Sequence, residues 1–284
     1  KELRVILEEF GDKRRCQITS DVISAQAFSD QDMMPAENVT VVLSEKGWVK
    51  AAKGHEIDSS ALNYKSGDAF LKDAKGRSNK MAFFIDSSGR SYTLLANSLP
   101  SARGQGEPLT GRLTPPIGAE FIDVVMGDDE QLVILSSDAG YGFISTLGDL
   151  QSKTKSGKHA ITLSKEAKTM RLTKVQNLES DYLAVITNRA RLLIFQVSEL
   201  PHLSKGKGNK LINIKTDDFV AKEEFLIGLC IIKENQKLRV EYGNGKKHKQ
   251  YSFSDLVNFT SHRARKGLTV PGVHGKALGI DAID

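Results

Sequence analysis

The chain has 284 residues, of which 39% are hydrophobic and 26% charged, with a formal net charge of +5. That is enough for one large core or two ordinary ones, and it lies outside the disordered range. The longest apolar run, residues 225–232, contains a glycine and falls far short of the ~20 residues a membrane-spanning helix requires.

The first ten residues place Leu3, Ile6, Leu7 and Phe10 at helical spacing, and Gly11-Asp12 stops the pattern. Lys13-Arg14-Arg15 and a polar stretch follow. Residues 1–30 are therefore expected to be the end of a helix plus a connector, with a second region over 31–284. The start, Lys1-Glu2-Leu3-Arg4, lacks a secretory signal and an initiator Met, so the chain is expected to be a soluble fragment of something longer.

From Val39 the pattern changes to short alternating strands around tight turns. Val39, Val41 and Leu43 turn at Gly47 into Trp48 and Val49, and Met81, Phe83 and Ile85 turn at Gly89 into Tyr92 and Leu94. Residues 132–135 turn at Gly140 into Tyr141 and Phe143; Leu183 and Val185 turn at Ala190 into residues 192–195; residues 238–242 turn at Gly245 into Tyr251 and Phe253. Each is a β-hairpin signal. The turns lie 42, 51, 50 and 55 residues apart (47, 89, 140, 190, 245). About five units of four strands at such a period predict an all-β, propeller-like array, because one blade cannot bury both of its faces alone. Trp48, Tyr92, Tyr141, Phe143 and Phe195 are expected in the blade cores.

A second element recurs after the hairpins. Leu99-Pro100, Leu150-Gln151, Leu200-Pro201 and Leu256-Val257 each lead into a loop with glycine and bases: residues 101–106, 152–158, 204–210 and 262–267. In the first unit, Tyr64-Lys65-Ser66-Gly67-Asp68 takes that place. Glycine turns let backbone N–H groups approach phosphate, and flanking cations neutralise it. Four such loops at equivalent positions would follow one rim and hold a curved polyanion through its phosphates. The candidate contacts are Arg103, Lys153, Lys155, Lys158, Lys205, Lys207, Lys210, Arg263, Arg265 and Lys266, with Lys46, Lys50 and Lys53 as weaker ones. Aromatics do not interleave with the loops, which argues against stacking on single-stranded bases.

Charge supports the same direction. Residues 1–150 carry 16 bases and 22 acids, a net of −6, whereas residues 151–284 carry 24 and 13, a net of +11. A basic half suits a polyanion.

Catalytic signatures are missing from the string. There is no phosphate-loop motif and no nucleophile elbow. Gly104 and Gly106 are followed by Leu109 where a dinucleotide fingerprint needs glycine, and Ser152 to Lys155 is a short chance match. Asp128-Asp129-Glu130 reads as a solvated turn. The histidines at 55, 159, 202, 248, 262 and 274 are scattered, so no metal spacing exists, and no cofactor is expected. Cys16 and Cys230 suit a reducing cytoplasm. A protein-interaction scaffold is the alternative reading, with the acidic half as docking surface, and an enzyme with a central-channel site the third.

Several strings resemble a known family. Residues 99–111 (LPSARGQGEPLTG), 137–143 (SDAGYGF) and 203–210 (LSKGKGNK) are similar to the C-terminal domain of the A subunit of bacterial topoisomerase IV, within the gyrase A family of type IIA topoisomerases. So are Val41 to Lys50, Ala52 to His55 and Phe10 to Arg15. The resemblance implies a β-pinwheel that binds and bends duplex DNA around its perimeter without catalysing a reaction. It would hold the transported segment and tune decatenation and relaxation of positive supercoils. It also implies, as partners of the whole protein, a second A subunit, the ParE ATPase (its B subunit) and a condensin-type chromosome-organising protein, in the nucleoid of a bacterial cytoplasm. The gyrase relatives carry a Q-R-R-G-G-K-G box needed for wrapping. The nearest string here, Ala102, Arg103, Gly104, Gln105, Gly106 and Glu107, lacks the paired bases and ends in an acid, so weak bending is expected rather than strong chiral wrapping.

Overall fold

The computed structural model describes residues 2–11, 36–245 and 247–284. Helix α1 (Glu2–Phe10) forms where the sequence pattern places it, and its apolar residues Leu3, Val5, Ile6, Leu7 and Phe10 are exposed. Cys16, Lys13-Arg14-Arg15 and most of the expected connector lie outside the described residues.

The strands in chain order are β1 (Asn38–Ser44), β2 (Trp48–Lys53), β3 (Phe70–Arg77), β4 (Met81–Asp86), β5 (Arg90–Leu95), β6 (Glu107–Pro108), β7 (Phe121–Met126), β8 (Leu132–Ser136) and β9 (Tyr141–Thr146). They continue with β10 (Lys158–His159), β11 (Thr173–Lys174), β12 (Tyr182–Thr187), β13 (Arg191–Gln196), β14 (Asn209–Lys210), β15 (Leu226–Ile232), β16 (Lys237–Tyr242), β17 (Lys247–Ser252), β18 (Leu268–Thr269) and β19 (Ala277–Ile283).

All five hairpins form at the turns named from sequence. Gly47, Gly89, Gly140 and Gly245 adopt φ of 74°, 86°, 79° and 80°, and Ala190 takes the same left-handed conformation at 56°. The strands make five antiparallel sheets, ordered β3-β1-β2-β6, β10-β5-β4-β7, β11-β8-β9-β14, β15-β12-β13-β18 and β17-β16-β19. Four blades thus have four strands. The fifth has three among the described residues, one fewer than the repeat predicts.

The reason lies in how each blade is completed. Its hairpin and the strand after it are local, but its outermost strand is lent by the chain that follows the next blade's hairpin. Strand β6 follows the β4–β5 hairpin yet pairs with β2; β10, β14 and β18 do the same for β5, β9 and β13. Blade 5 has no following hairpin among the described residues, so β17 receives no lent strand.

Alternate residues of a central strand feed different cores, because side chains switch faces at every step. Phe84 packs between blades 1 and 2, whereas Phe83 and Ile85 pack between blades 2 and 3. Ile134 then joins the core between blades 3 and 4, and Ala184 and Ile186 that between blades 4 and 5. Among the described residues no fifth apolar core joins blade 5 to blade 1. The two end faces are polar instead. On blade 1, Thr40, Ser44 and Lys50 are buried under the segment 54–69, with Lys50 Nζ donating to Asn63 O at 2.5 Å and lying 4.0 Å from the Tyr64 ring centre. On blade 5, Arg239 pairs with Asp281 at 3.1 Å and Glu241 at 3.5 Å. Polar end faces are what a stacked array needs at its termini.

The third strands, β3, β7, β11, β15 and β19, line a central channel of about 780 Å³. Asp123 sits in its wall, accepting from Val124 N at 2.9 Å and Leu172 N at 2.7 Å. Burial pushes its pKa up to about 6. No group of three His, Cys, Asp or Glu side chains able to hold a metal exists among the described residues.

Candidate nucleic-acid interface

The four basic loops share one structural place. Each begins by pairing with the far end of a second hairpin strand and ends as that sheet's lent strand. Ala51 N donates to Pro100 O at 2.8 Å and Ala102 N to Ala51 O at 2.9 Å, fixing loop 101–106 on β2. Ile144 N donates to Pro201 O and Leu203 N to Ile144 O, both at 2.9 Å, fixing loop 204–210 on β9. Ser261 N donates to Ile194 O at 2.9 Å on β13, and on β5 Ser152 N donates to Thr93 Oγ1 at 3.0 Å.

The glycine before each lent strand is required by this crossing. Gly106, Gly157, Gly208 and Gly267 have φ of 89°, 72°, 74° and 73°. A Cβ there would stand 2.5, 2.9, 2.3 and 2.7 Å from the carbonyl oxygens of Val49, Ser91, Gly142 and Leu192. The sequence reading used the glycines of these loops for phosphate approach; the structure adds a steric requirement at these four, the strand exchange. Segment 64–68 does not share this place. It lies inside blade 1, between β2 and β3.

The residue just after three of the turns helps fix a loop from below. Arg90 Nη1 donates to Ser156 O at 2.9 Å, Tyr141 carries the Lys207 ammonium 4.0 Å over its ring, and Arg191 Nη1 donates to Lys266 O at 2.5 Å. In blade 1, Lys65 lies 4.8 Å over Trp48. Trp48 and Tyr141 are thus half-buried platforms for lysines, whereas Tyr92, Phe143 and Phe195 are fully buried, as expected. The sequence signal for the pair was their position, first after the turn glycine.

The candidate cations divide by what they touch. Arg103, Lys153, Lys155, Lys205, Arg265 and Lys266 are exposed, and their side chains make no hydrogen bond or ion pair among the described residues. Lys207 is exposed but rests on Tyr141. Lys158 Nζ donates to Asp149 O at 2.5 Å and Lys210 Nζ to Asn213 Oδ1 at 3.0 Å. Arg263 ties two loops together through Glu199 O at 3.1 Å and Lys210 O at 3.4 Å. These three hold loop shape. Lys46 is exposed, Lys53 pairs with Glu37 at 2.8 Å, and Lys50 is buried with a lowered pKa caused by that burial, so it faces no solvent. In the wrapping-box string, Glu107 pairs with Arg112, an arginine the sequence reading left out. Arg112, Lys153 and Lys155 line one 430 Å³ hollow with the hydroxyl residues Thr93, Ser152 and Thr154. Asp128 pairs with Lys80 at 2.9 Å, in the exposed turn before β8.

This fold is shared with a solved DNA gyrase A C-terminal domain, at a TM-score of 0.62 and 16% identity, covering 87% of this chain and 83% of that one. The family model described as the DNA gyrase C-terminal domain, beta-propeller, matches residues 131–175 and 181–222. The A subunit of DNA topoisomerase 4 from Pseudomonas aeruginosa is 48% identical over 271 residues, covering 95% of this chain and 36% of the relative. Its counterpart in Escherichia coli K12 is 44% identical over 273 residues, covering 96% and 36%. The solved E. coli ParC C-terminal domain superposes with a TM-score of 0.78 at 43% identity, covering 87% of this chain and 99% of that one. The chain belongs to the family of C-terminal domains found in topoisomerase IV A subunits. It spans little more than a third of the length of its full-length relatives.

Proposed function

We propose that this chain binds and bends duplex DNA for a type II topoisomerase, without catalysing a reaction or carrying a cofactor itself. The observation that supports this most is the recurrence of one basic loop on the outer edges of four successive blades. Phosphates are the same at every base pair, so a row of exposed ammonium and guanidinium groups binds without reading sequence. Arg103, Lys153, Lys155, Lys205, Arg265 and Lys266 make the contacts, and Lys207 joins them by leaving Tyr141. Lys158, Lys210 and Arg263 keep the loops in shape. With Glu107 beside Arg112, the first loop binds weakly, which favours bending over wrapping.

In the whole protein, residues 31–284 form the DNA-binding domain and residues 1–30 the link to a catalytic core. The domain engages the transported segment and biases the enzyme toward decatenation and positive-supercoil relaxation. Its partners are duplex DNA, a second A subunit, the ParE ATPase and a condensin-type protein, on the bacterial nucleoid. Fluorescence anisotropy against a short duplex at several salt concentrations tests the first step. Affinity that falls linearly on a log–log plot supports the reading, because each phosphate engaged contributes a slope of about −0.9. Absence of binding at low salt refutes it.

A further inference from the structure

The segment that enters the third strand turns in the same way in three successive blades. In blade 1, Asp68 N donates to Lys65 O at 2.9 Å and Gly67 has a φ of 73°. In blade 2, Ala119 N donates to Pro116 O at 3.0 Å and Gly118 has a φ of 80°. In blade 3, Ala167 N donates to Ser164 O at 3.0 Å and Glu166 has a φ of 62°. The residue after each turn docks on the hairpin turn of its own sheet: Ala69, Glu120 and Lys168 accept from the backbone N–H groups of Glu45, Ser87 and Asp138 at 2.9, 2.8 and 3.0 Å. Position for position, the second residue of the turn is therefore Ser66, Ile117 and Lys165, each of them exposed. Ile117 breaks the polar pattern, and its exposure, 107%, is the largest of any large apolar residue among those described.

A single exposed apolar side chain is ordinary by itself. What sets Ile117 apart is how stiffly it is held and what lies beside it. Pro115 and Pro116 fix two φ angles on its N-terminal side, and each keeps the residue before it extended. Thr114 N donates to Lys155 O at 2.8 Å and Glu120 N to Ser87 Oγ at 3.1 Å, so both ends of the tip are anchored. The first anchor is the basic loop itself. From Thr114 to Ile117 the chain reaches at most about 11 Å. That is about three base-pair steps of a duplex lying on Lys153 and Lys155.

We propose that Ile117 is a wedge that enters the minor groove of DNA seated on loop 152–158 and partly unstacks one base step. The inference rests on the phosphate-binding reading of that loop and adds to it the residue that makes a bend. Apolar side chains inserted from the minor groove unstack a step and kink the duplex toward the major groove. The cost is small at flexible pyrimidine–purine steps such as TA and large in stiff A-tracts. Ile117 therefore supplies a preference for deformable DNA that phosphate contacts cannot supply. The kink carries the duplex away from the wedge, so its path leaves the outer edge at blade 2, short of loop 101–106 and its single cation, Arg103.

The full chain is titrated with duplexes of roughly 30 base pairs carrying 2-aminopurine, an adenine analogue whose fluorescence rises on unstacking, either in central TA steps or in an A-tract. The expected result is a fluorescence rise on the TA duplex and roughly fivefold tighter binding to it. Ile117→Ser puts there the residue type that blade 1 has, and is expected to abolish the rise and the preference while leaving the salt slope unchanged. Ile117→Leu keeps both. The side chain is fully exposed, so neither change threatens folding. A flat signal on bound DNA, or a rise and a preference that survive in Ile117→Ser, overturns the proposal and leaves the loop contacts standing. If Ile117→Ser weakens both duplexes alike and the preference remains, Ile117 is a plain surface contact and the wedge is again overturned. Absence of any binding at low salt overturns the loop reading and the wedge together.

Discussion

Three buried ionisable residues, Arg191, Glu224 and Asp123, show how single residues set the behaviour of a blade. Arg191 is bolted to Glu224 through Nε at 2.5 Å and a second, shorter contact from Nη2, and Thr187 Oγ1 donates to the same carboxylate at 2.9 Å. Both side chains are nearly fully buried, so removing one strands the other in a low-dielectric site. Glu224→Ala is expected to cost about 3–5 kcal/mol in chemical denaturation, because it also frees the arginine that holds Lys266. Asp123 behaves differently. Its folded pKa, about 6, lies above the ordinary 3.8, so between these values the folded state holds the proton more tightly than the unfolded chain. Its contribution to stability therefore falls as pH rises through this window, by at most about 3 kcal/mol. Comparing wild type with Asp123→Asn from pH 4 to 7 is expected to show this slope lost in the variant; parallel curves would assign the pKa elsewhere.

At the scale of the element, the lent strands are only two residues long, and geometry rather than length secures them. Gly208→Ala puts a Cβ against the Gly142 carbonyl at a left-handed φ and is expected to cost about 2 kcal/mol or more. Gly104→Ala, in an equally glycine-rich loop, meets nothing within 4 Å and is expected to change stability by about 0.5 kcal/mol or less. Thermal melts of the pair separate a strand-exchange role from a general need for loop flexibility. The turns, the hairpins and the basic loops were all legible in the sequence, because each has a local signature: alternation, a left-handed glycine, a run of bases. The place of segment 64–68 was not, since its glycine and lysine look like those of the other loops while its neighbours in space differ.

At the scale of the whole molecule, four apolar cores among the described residues join five successive blades, and polar faces lie beyond them at Lys50 and Arg239. Charge on the outer edge is then distributed over several blades, and distant contacts add nearly independently. Lys153→Glu with Lys155→Glu is expected to lower the magnitude of the logarithmic salt slope of DNA binding by about 2, with no loss of folding. The same change made with Lys50, which faces no solvent, would act through stability instead.

The sequence alone determined the all-β repeat, the hairpin turns, the helix before them and the basic loops, because these depend on neighbours a few residues apart. Tertiary structure decided which cations remain exposed, since Lys50, Lys158, Lys210 and Arg263 meet their partners only through packing. It also decided that four of the sheets borrow their outer strand from the chain beyond the next hairpin, and that the fifth has three strands among the described residues. Pairing between segments tens of residues apart leaves no periodic trace in the string, because two-residue strands are too short to show one.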